Sequence, residues 1–212
     1  AFQLDLPKVV VGKGSNCLFN DKGFNGLVIL NKIDFFTWYD TEVTAGSGYP
    51  FSLLGVQTAR KGLSGLEFAS GIPATVGGAV FMNAGANGWE TCNCLKSVHY
   101  FDGQEQKMFS RDELVFGYRT SPFQKMSGVI LSATFQLKSF AEARQSQLQI
   151  IDYRMKTQPL KEKSIGCIFR NPPGQSAGAL IDRCGLKGTA IGGVKISEIH
   201  ANFMVNHAGA SS

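Results

Sequence analysis

The chain has 212 residues, 43% hydrophobic and 17% charged, with 25 glycines and 16 phenylalanines, which excludes a disordered or fibrous protein and predicts many turns around an aromatic-rich core. Its formal charge of +5 comes from lysines and arginines that never form a run of five, which argues against nucleic acid and is equally suited to a phosphate-rich cofactor or a nucleotide substrate without identifying either. No apolar run reaches the ~20 residues of a membrane helix and no signal-peptide layout opens the chain, so a soluble protein without membrane association is expected; a monomer is expected, and a cytoplasmic one from its cysteine usage.

The five cysteines lack C-x-x-C spacing and read as reduced thiols, and the three histidines form no metal-site pair, so no metal is expected. Residues 9–11 belong to a β-branched run that ends in Gly12, Lys13, Gly14, Ser15 and Asn16. This predicts a strand followed by an anion-binding loop: the glycines permit positive φ, Ser15 and Asn16 offer short polar side chains, and Lys13 adds a cation. The full G-x-G-x-x-G fingerprint fails at Cys17, and a plain Gly-Ser turn is the alternative. Residues 26–30 and 42–45 read as strands. Pro50 at a helix start, apolar Leu53, Leu54 and Val56, and Gly62 as a stop predict a helix over 51–61 that packs on the sheet.

The stretch 71–85, GIPATVGGAVFMNAG, is too dense in small residues for an ordinary core element. Gly71, Gly77, Gly78 and Gly85 leave bare backbone against which a planar or anionic ligand can lie; a glycine-rich surface loop is the alternative. Residues 98–101, Asp102-Gly103 and 107–109 predict a hairpin with a two-residue turn, and 129–137 a further strand. Ser139 and Glu142 have capping-box spacing, and Leu148, Ile151 and Met155 extend a helix over 140–156 that divides the chain into domains 1–138 and 139–212. Beyond it, 165–169 reads as a strand, 176–184 as a helix closed by Gly185, and 194–196 and 202–205 as strands. The fold class is α+β.

Five strings together resemble the UDP-N-acetylenolpyruvoylglucosamine reductase (MurB) family and cover most of the chain. They are VGKGSN from Val11, GLSGLEFASGIPATVGGAVFMNAGANGWE from Gly62, FGYRTSPF from Phe116, GCIFRNPPGQSAGALID from Gly166 and ISEIHANFMVN from Ile196. The resemblance implies an FAD-binding domain of the MurB/PCMH type followed by a small α+β substrate-binding domain. It also implies a reaction in two halves, in which NADPH reduces FAD and hydride then passes to the enolpyruvyl double bond of a UDP-sugar, giving UDP-N-acetylmuramate for peptidoglycan synthesis and so for cell shape and division.

By matching position, the resemblance gives FAD the loop Gly12, Lys13, Gly14, Ser15 and Asn16, together with Ile72, Pro73, Thr75, Val76, Gly77, Gly78, Ala79, Asn83, Ala84 and Gly85. It places Arg119 at the enolpyruvyl carboxylate, with Tyr118 beside it, and Cys167 at the proton donor, usually a serine. A thiol, with an ordinary pKa of about 8.5, is a stronger acid than an alcohol and can serve there. Arg170 and Asn171 are implied at the UDP diphosphate, and His200 and Asn202 complete the substrate set.

Only 47 residues (120–166) lie between Arg119 and Cys167, as in the shorter family type that lacks an inserted tyrosine loop. Family members begin earlier and run beyond HANFMVN to a glutamate that assists protonation, so both family termini are expected to be missing here. Two other readings stay open at this point: an FAD-linked oxidase or dehydrogenase of the same fold, and a non-catalytic FAD-binding module.

Overall fold

The β-branched run near the start forms β1 (Lys8–Val11), which pairs in parallel with β2 (Leu27–Leu30), Lys8 opposite Leu27 and Val11 opposite Leu30. The computed structural model describes residues 4–212 and divides into two units, one made of the described residues up to Lys13 with Asn25–Ile151, the other of Gly14–Phe24 with Asp152–Ser212.

In the first unit the chain continues through β3 (Phe36–Tyr39), β4 (Glu42–Gly46), α1 (Phe51–Arg60) and β5 (Leu63–Ser64). It then forms α2 (Val76–Phe81), β6 (Gly85–Ala86), β7 (Trp89–Glu90), β8 (Leu95–Phe101), β9 (Gln106–Ser110), β10 (Val129–Gln136) and β11 (Lys138–Ser139). Five of these strands build one antiparallel sheet in the order β3-β4-β10-β8-β9. Alternate residues of its inner strands, among them Val43, Ala45, Val98, Tyr100 and Phe135, are buried with Phe51 and Leu54 of α1 and Val76 and Val80 of α2. Each large apolar side chain so buried contributes ~1.5–3 kcal/mol.

Helix α1 forms where expected, but on a different face. Its buried residues are Phe51, Leu54, Gly55, Thr58 and Ala59, a stripe at i, i+3, i+4, i+7 and i+8, whereas Leu53 is 42% exposed. Gly55 belongs to that stripe because a Cβ there would stand 2.5 Å from the Leu66 carbonyl oxygen. The expected two-residue hairpin turn is a four-residue loop instead: Phe101 pairs with Gln106, and Asp102 Oδ1 accepts hydrogen bonds from the N–H groups of Gln104 and Glu105. That side-chain acceptor organises a wider turn than the Asp-Gly dipeptide suggests.

α3 (Ala143–Thr157) spans the division between the units and starts later than its sequence signal. Ser139 belongs to β11, opposite Leu63 of β5, so the capping box does not form. The apolar spacing also misleads, since Leu148 and Met155 are exposed while Ala143 and Gln147 are fully buried. In the second unit α4 (Ala177–Arg183), with Ser176 as its N-cap, precedes β12 (Ala190–Ile191), β13 (Val194–Ile196) and β14 (Met204–Asn206), an antiparallel three-stranded sheet. Among the described residues no helix is long and apolar enough to cross a membrane, and no cluster of metal-ligating side chains occurs.

Candidate active site

Within the first unit, Gly12 at the start of one glycine-rich segment meets Thr75 of the other. A Cβ built on Gly12, just after β1, would lie 2.3 Å from Thr75 Oγ1 and 2.9 Å from Thr75 Cγ2. Thr75 is the N-cap of α2, its hydroxyl accepting from the Gly78 N–H at 3.3 Å. Only a residue without a side chain lets the loop approach this cap. Beyond Gly12 the loop opens out: Gly14 has φ +69° with nothing near its Cβ position, and among the described residues the N–H groups of Lys13, Ser15 and Asn16 have no backbone acceptor. Free N–H donors, the Lys13 ammonium and two short polar side chains are what a pyrophosphate requires, so these residues fit the dinucleotide end of FAD.

The 72–85 segment is anchored to the chain that follows β4. Val76 N–H donates to the Tyr49 carbonyl at 2.9 Å and Gly77 N–H to the Ser47 carbonyl at 2.8 Å. A Cβ on Gly77 would come within 2.8 Å of Ser47 Cβ. Val76 and Ala79 are fully buried core side chains, so any ligand contact they make runs through their backbone, whereas Pro73 and Gly78 are exposed and Ile72 and Ala84 pack at the core's edge. Ser47, fully buried and bonded through Oγ to Asn31 Nδ2 at 2.7 Å, was not singled out in the sequence. Its signal was the Gly-Ser-Gly string at the end of a strand.

Asn83 and Gly85 lead to Arg119. Asn83 is buried at φ +42°; its Nδ2 donates to Glu90 Oε2 at 2.9 Å and to the Gly117 carbonyl at 3.0 Å, and its Oδ1 accepts from Cys92 N–H at 3.1 Å. The amide is thus committed to protein partners and acts as a hub for three chain segments. Arg119 also holds a left-handed backbone at φ +58°, with Nη2 donating to the Gly85 carbonyl at 2.8 Å and its guanidinium carbon 4.9 Å from the Tyr118 ring centre. A non-glycine residue kept in this region stores strain of about 1–3 kcal/mol, a cost concentrated at functional sites.

The second unit holds the remaining predicted residues. Cys167 is exposed and forms a single antiparallel bridge with Phe203, so the strand expected over 165–169 is reduced to that bridge. The reason is Asn202, 3% exposed, whose amide takes both backbone groups of Phe169: Nδ2 donates to its carbonyl at 2.8 Å and Oδ1 accepts its N–H at 2.9 Å. A side chain has replaced the ladder. Asn202 therefore fixes the segment that carries Cys167, Arg170 and Asn171.

His200 supports Asn202, Nδ1 accepting the Asn202 N–H at 3.2 Å, and burial lowers the imidazole pKa from its ordinary value, with the Lys187 charge acting in the same direction. Asn171 Oδ1 accepts the Ala177 N–H at 3.0 Å at the start of α4, and Arg170 is exposed. Arg154, on α3, went unnoticed in the sequence because hydropathy turned its face outward. Burial lowers its pKa, the nearby Cys167 opposes that shift, and its Nε has no partner among the described residues.

Residues 1–106 match the model of an FAD binding domain, and residues 158–212 match the C-terminal domain of UDP-N-acetylenolpyruvoylglucosamine reductase. The UDP-N-acetylenolpyruvoylglucosamine reductase of Protochlamydia amoebophila is 57% identical, the match covering 100% of this chain and 71% of the relative. That of Chlamydia muridarum is 54% identical over 98% of this chain and 71% of its own. The crystal structure of UDP-N-acetylenolpyruvylglucosamine reductase (MurB) from Thermus caldophilus superposes with a TM-score of 0.86 at 42% identity, covering 98% of this chain and 77% of that one. The chain belongs to the UDP-N-acetylenolpyruvoylglucosamine reductase family, the FAD-dependent oxidoreductases of peptidoglycan synthesis.

Proposed function

We propose that this chain reduces the enolpyruvyl group of UDP-N-acetylglucosamine enolpyruvate to the lactyl group of UDP-N-acetylmuramate, with NADPH as electron donor, as a cytoplasmic monomer serving cell-wall growth, shape and division. FAD, when bound, would supply the two-electron chemistry that links NADPH to the substrate double bond. The loop Gly12–Asn16 would hold the pyrophosphate through backbone N–H groups and Lys13, and the segment 72–85 would meet the flavin at exposed Pro73 and Gly78, since the space beside Gly77 and Gly85 is filled by Ser47 and by Glu90 and Arg119.

Addition of hydride to one enolpyruvyl carbon leaves negative charge on the other and on the attached carboxylate. Arg119 receives that carboxylate in a planar fork, an interaction that strengthens as charge accumulates. Cys167 completes the reduction by giving its proton to the second carbon, leaving a thiolate. Arg170 and Asn171 bind the diphosphate, Tyr118 borders the substrate, and His200 and Asn202 act by holding the Cys167 segment in place.

The observation that carries this reading is Arg119 itself, held in a strained left-handed conformation with its fork fixed to the Gly85 carbonyl beside the FAD-binding segment. The test is anaerobic. NADPH should bleach the flavin of the yellow protein, and the UDP-enolpyruvyl sugar should then restore its colour with formation of a product two hydrogens heavier. A protein that binds FAD, accepts electrons from NADPH and ignores this substrate would refute the assignment.

A further inference from the structure

The Asn87-Gly88 turn, with φ +54° and +80°, closes a tight hairpin that sets Glu90 directly opposite Gly85. One carboxylate oxygen of Glu90 accepts from Asn83 Nδ2 at 2.9 Å; the other lies 3.9 Å from Arg119 Nη1. The Gly85 carbonyl takes the other prong of the same guanidinium at 2.8 Å. There is no room for a side chain between these partners, because a Cβ on Gly85 would stand 2.9 Å from Glu90 Cγ and 3.2 Å from Arg119 Nη1. Gln124 Nε2 fixes the Arg119 carbonyl at 3.1 Å.

The pair is partly exposed, with side chains 31% and 28% accessible, so its worth to stability is small. Its geometry serves something else. A long arginine that must meet a carboxylate with both prongs loses side-chain freedom at that moment unless it is already held. Asn83 pins Glu90, and Glu90 with the Gly85 carbonyl pins the guanidinium. At 3.9 Å the carboxylate steers the fork without closing on it, which leaves the cation able to exchange partners.

We propose that Glu90 is a positioning residue for Arg119, holding its fork in the orientation that accepts the substrate carboxylate and releasing it when that carboxylate arrives. The inference rests on the role given to Arg119 above and deepens it.

Glu90→Gln tests it, since glutamine can still accept from Asn83 while losing the charge. Flavin reduction by NADPH should be unchanged, and flavin reoxidation at saturating enolpyruvyl substrate should slow by roughly 10- to 100-fold, the scale of a misplacement of about 1 Å. Substrate KM should hold or fall, because a competing carboxylate has gone. A merely structural role would not separate the two half-reactions. In an Arg119→Lys background, where the fork is already lost, Glu90→Gln should add less than about twofold.

Normal reoxidation in Glu90→Gln, or full additivity with Arg119→Lys, would overturn the inference. Should Glu90→Gln lose its flavin, Glu90→Asp carries the same criteria, and normal reoxidation there would overturn it equally. Normal reoxidation in Arg119→Lys alone would instead remove the role of Arg119.

Discussion

Gly12→Ala is the most direct perturbation of the cofactor cradle. Gly12 is not among the positive-φ glycines, so alanine can adopt its backbone and any penalty comes from contact alone. The new methyl would stand 2.3 Å from Thr75 Oγ1, about 1 Å inside ordinary contact, and Thr75 is buried with little space to retreat. Overpacking of this kind costs ~1–3 kcal/mol. If Thr75 turns away it also abandons the cap of α2, at about 1 kcal/mol more. The sum, about 2–4 kcal/mol, leaves the protein folded against a typical stability of 5–15 kcal/mol but lowers its melting temperature by roughly 5–15 °C. Separation of the two segments should also weaken FAD binding by about tenfold or more, equivalent to ~1.4 kcal/mol. Thermal melts of apoprotein and an FAD titration by flavin fluorescence measure both effects. Thr75→Ala should relieve the clash, so the double variant should be more stable than the single changes predict by at least ~0.5 kcal/mol. A Gly12→Ala protein with wild-type melting and wild-type FAD affinity would refute the packing argument.

Cysteine alkylation should follow burial. Iodoacetamide on the native apoprotein, read by peptide mass, should label exposed Cys167 and Cys184 and spare Cys94, whose thiol burial holds far above its ordinary pKa; early labelling of Cys94 would contradict its place in the core. Stability of the second unit should depend on His200. Its folded pKa lies below its unfolded value of about 6.5, so the unfolded chain takes the proton first; the contribution is complete above that pH and lost as pH falls through the lowered folded value. Melting should therefore fall between pH 7.5 and 5.5, and His200→Gln should flatten that dependence; an equal fall in the variant would exclude His200 as its source.

Much of the cofactor half was legible because its signals are local. Glycine density at 71–85 and the string at 12–16 state where backbone must be bare, although nothing in either string says that Gly12 presses on Thr75. The Asn87-Gly88 turn is an equally local signal, but nothing in the string places Glu90 beside Arg119. Other features depend on which groups a long-range contact buries. Hydropathy oriented α3 by Leu148, Ile151 and Met155, but its buried positions include Gln147, a polar residue, and Leu148 and Met155 face solvent. The strand expected around Cys167 gave way to the Asn202 side chain, from a residue 33 positions away from Phe169 that pattern alone cannot pair with it. Roles of single residues came only from resemblance, since an arginine in YRTS and a cysteine in GCIF carry no intrinsic mark of their chemistry.

Cys167 supplies the measurement that tests the mechanism most directly. The flavin is reduced anaerobically with NADPH, then mixed in a stopped-flow instrument with the UDP-enolpyruvyl sugar, and its reoxidation is followed in the wild-type protein, Cys167→Ser and Cys167→Ala. Removal of a general acid is worth about 10²- to 10⁴-fold, well beyond the effect of mild destabilisation. Cys167→Ala should bind FAD and accept electrons from NADPH normally but reoxidise slower by that factor, while Cys167→Ser, which can donate a proton from the same position, should keep useful activity. Reoxidation of Cys167→Ala at the wild-type rate would contradict the account and leave Cys167 as a packing residue.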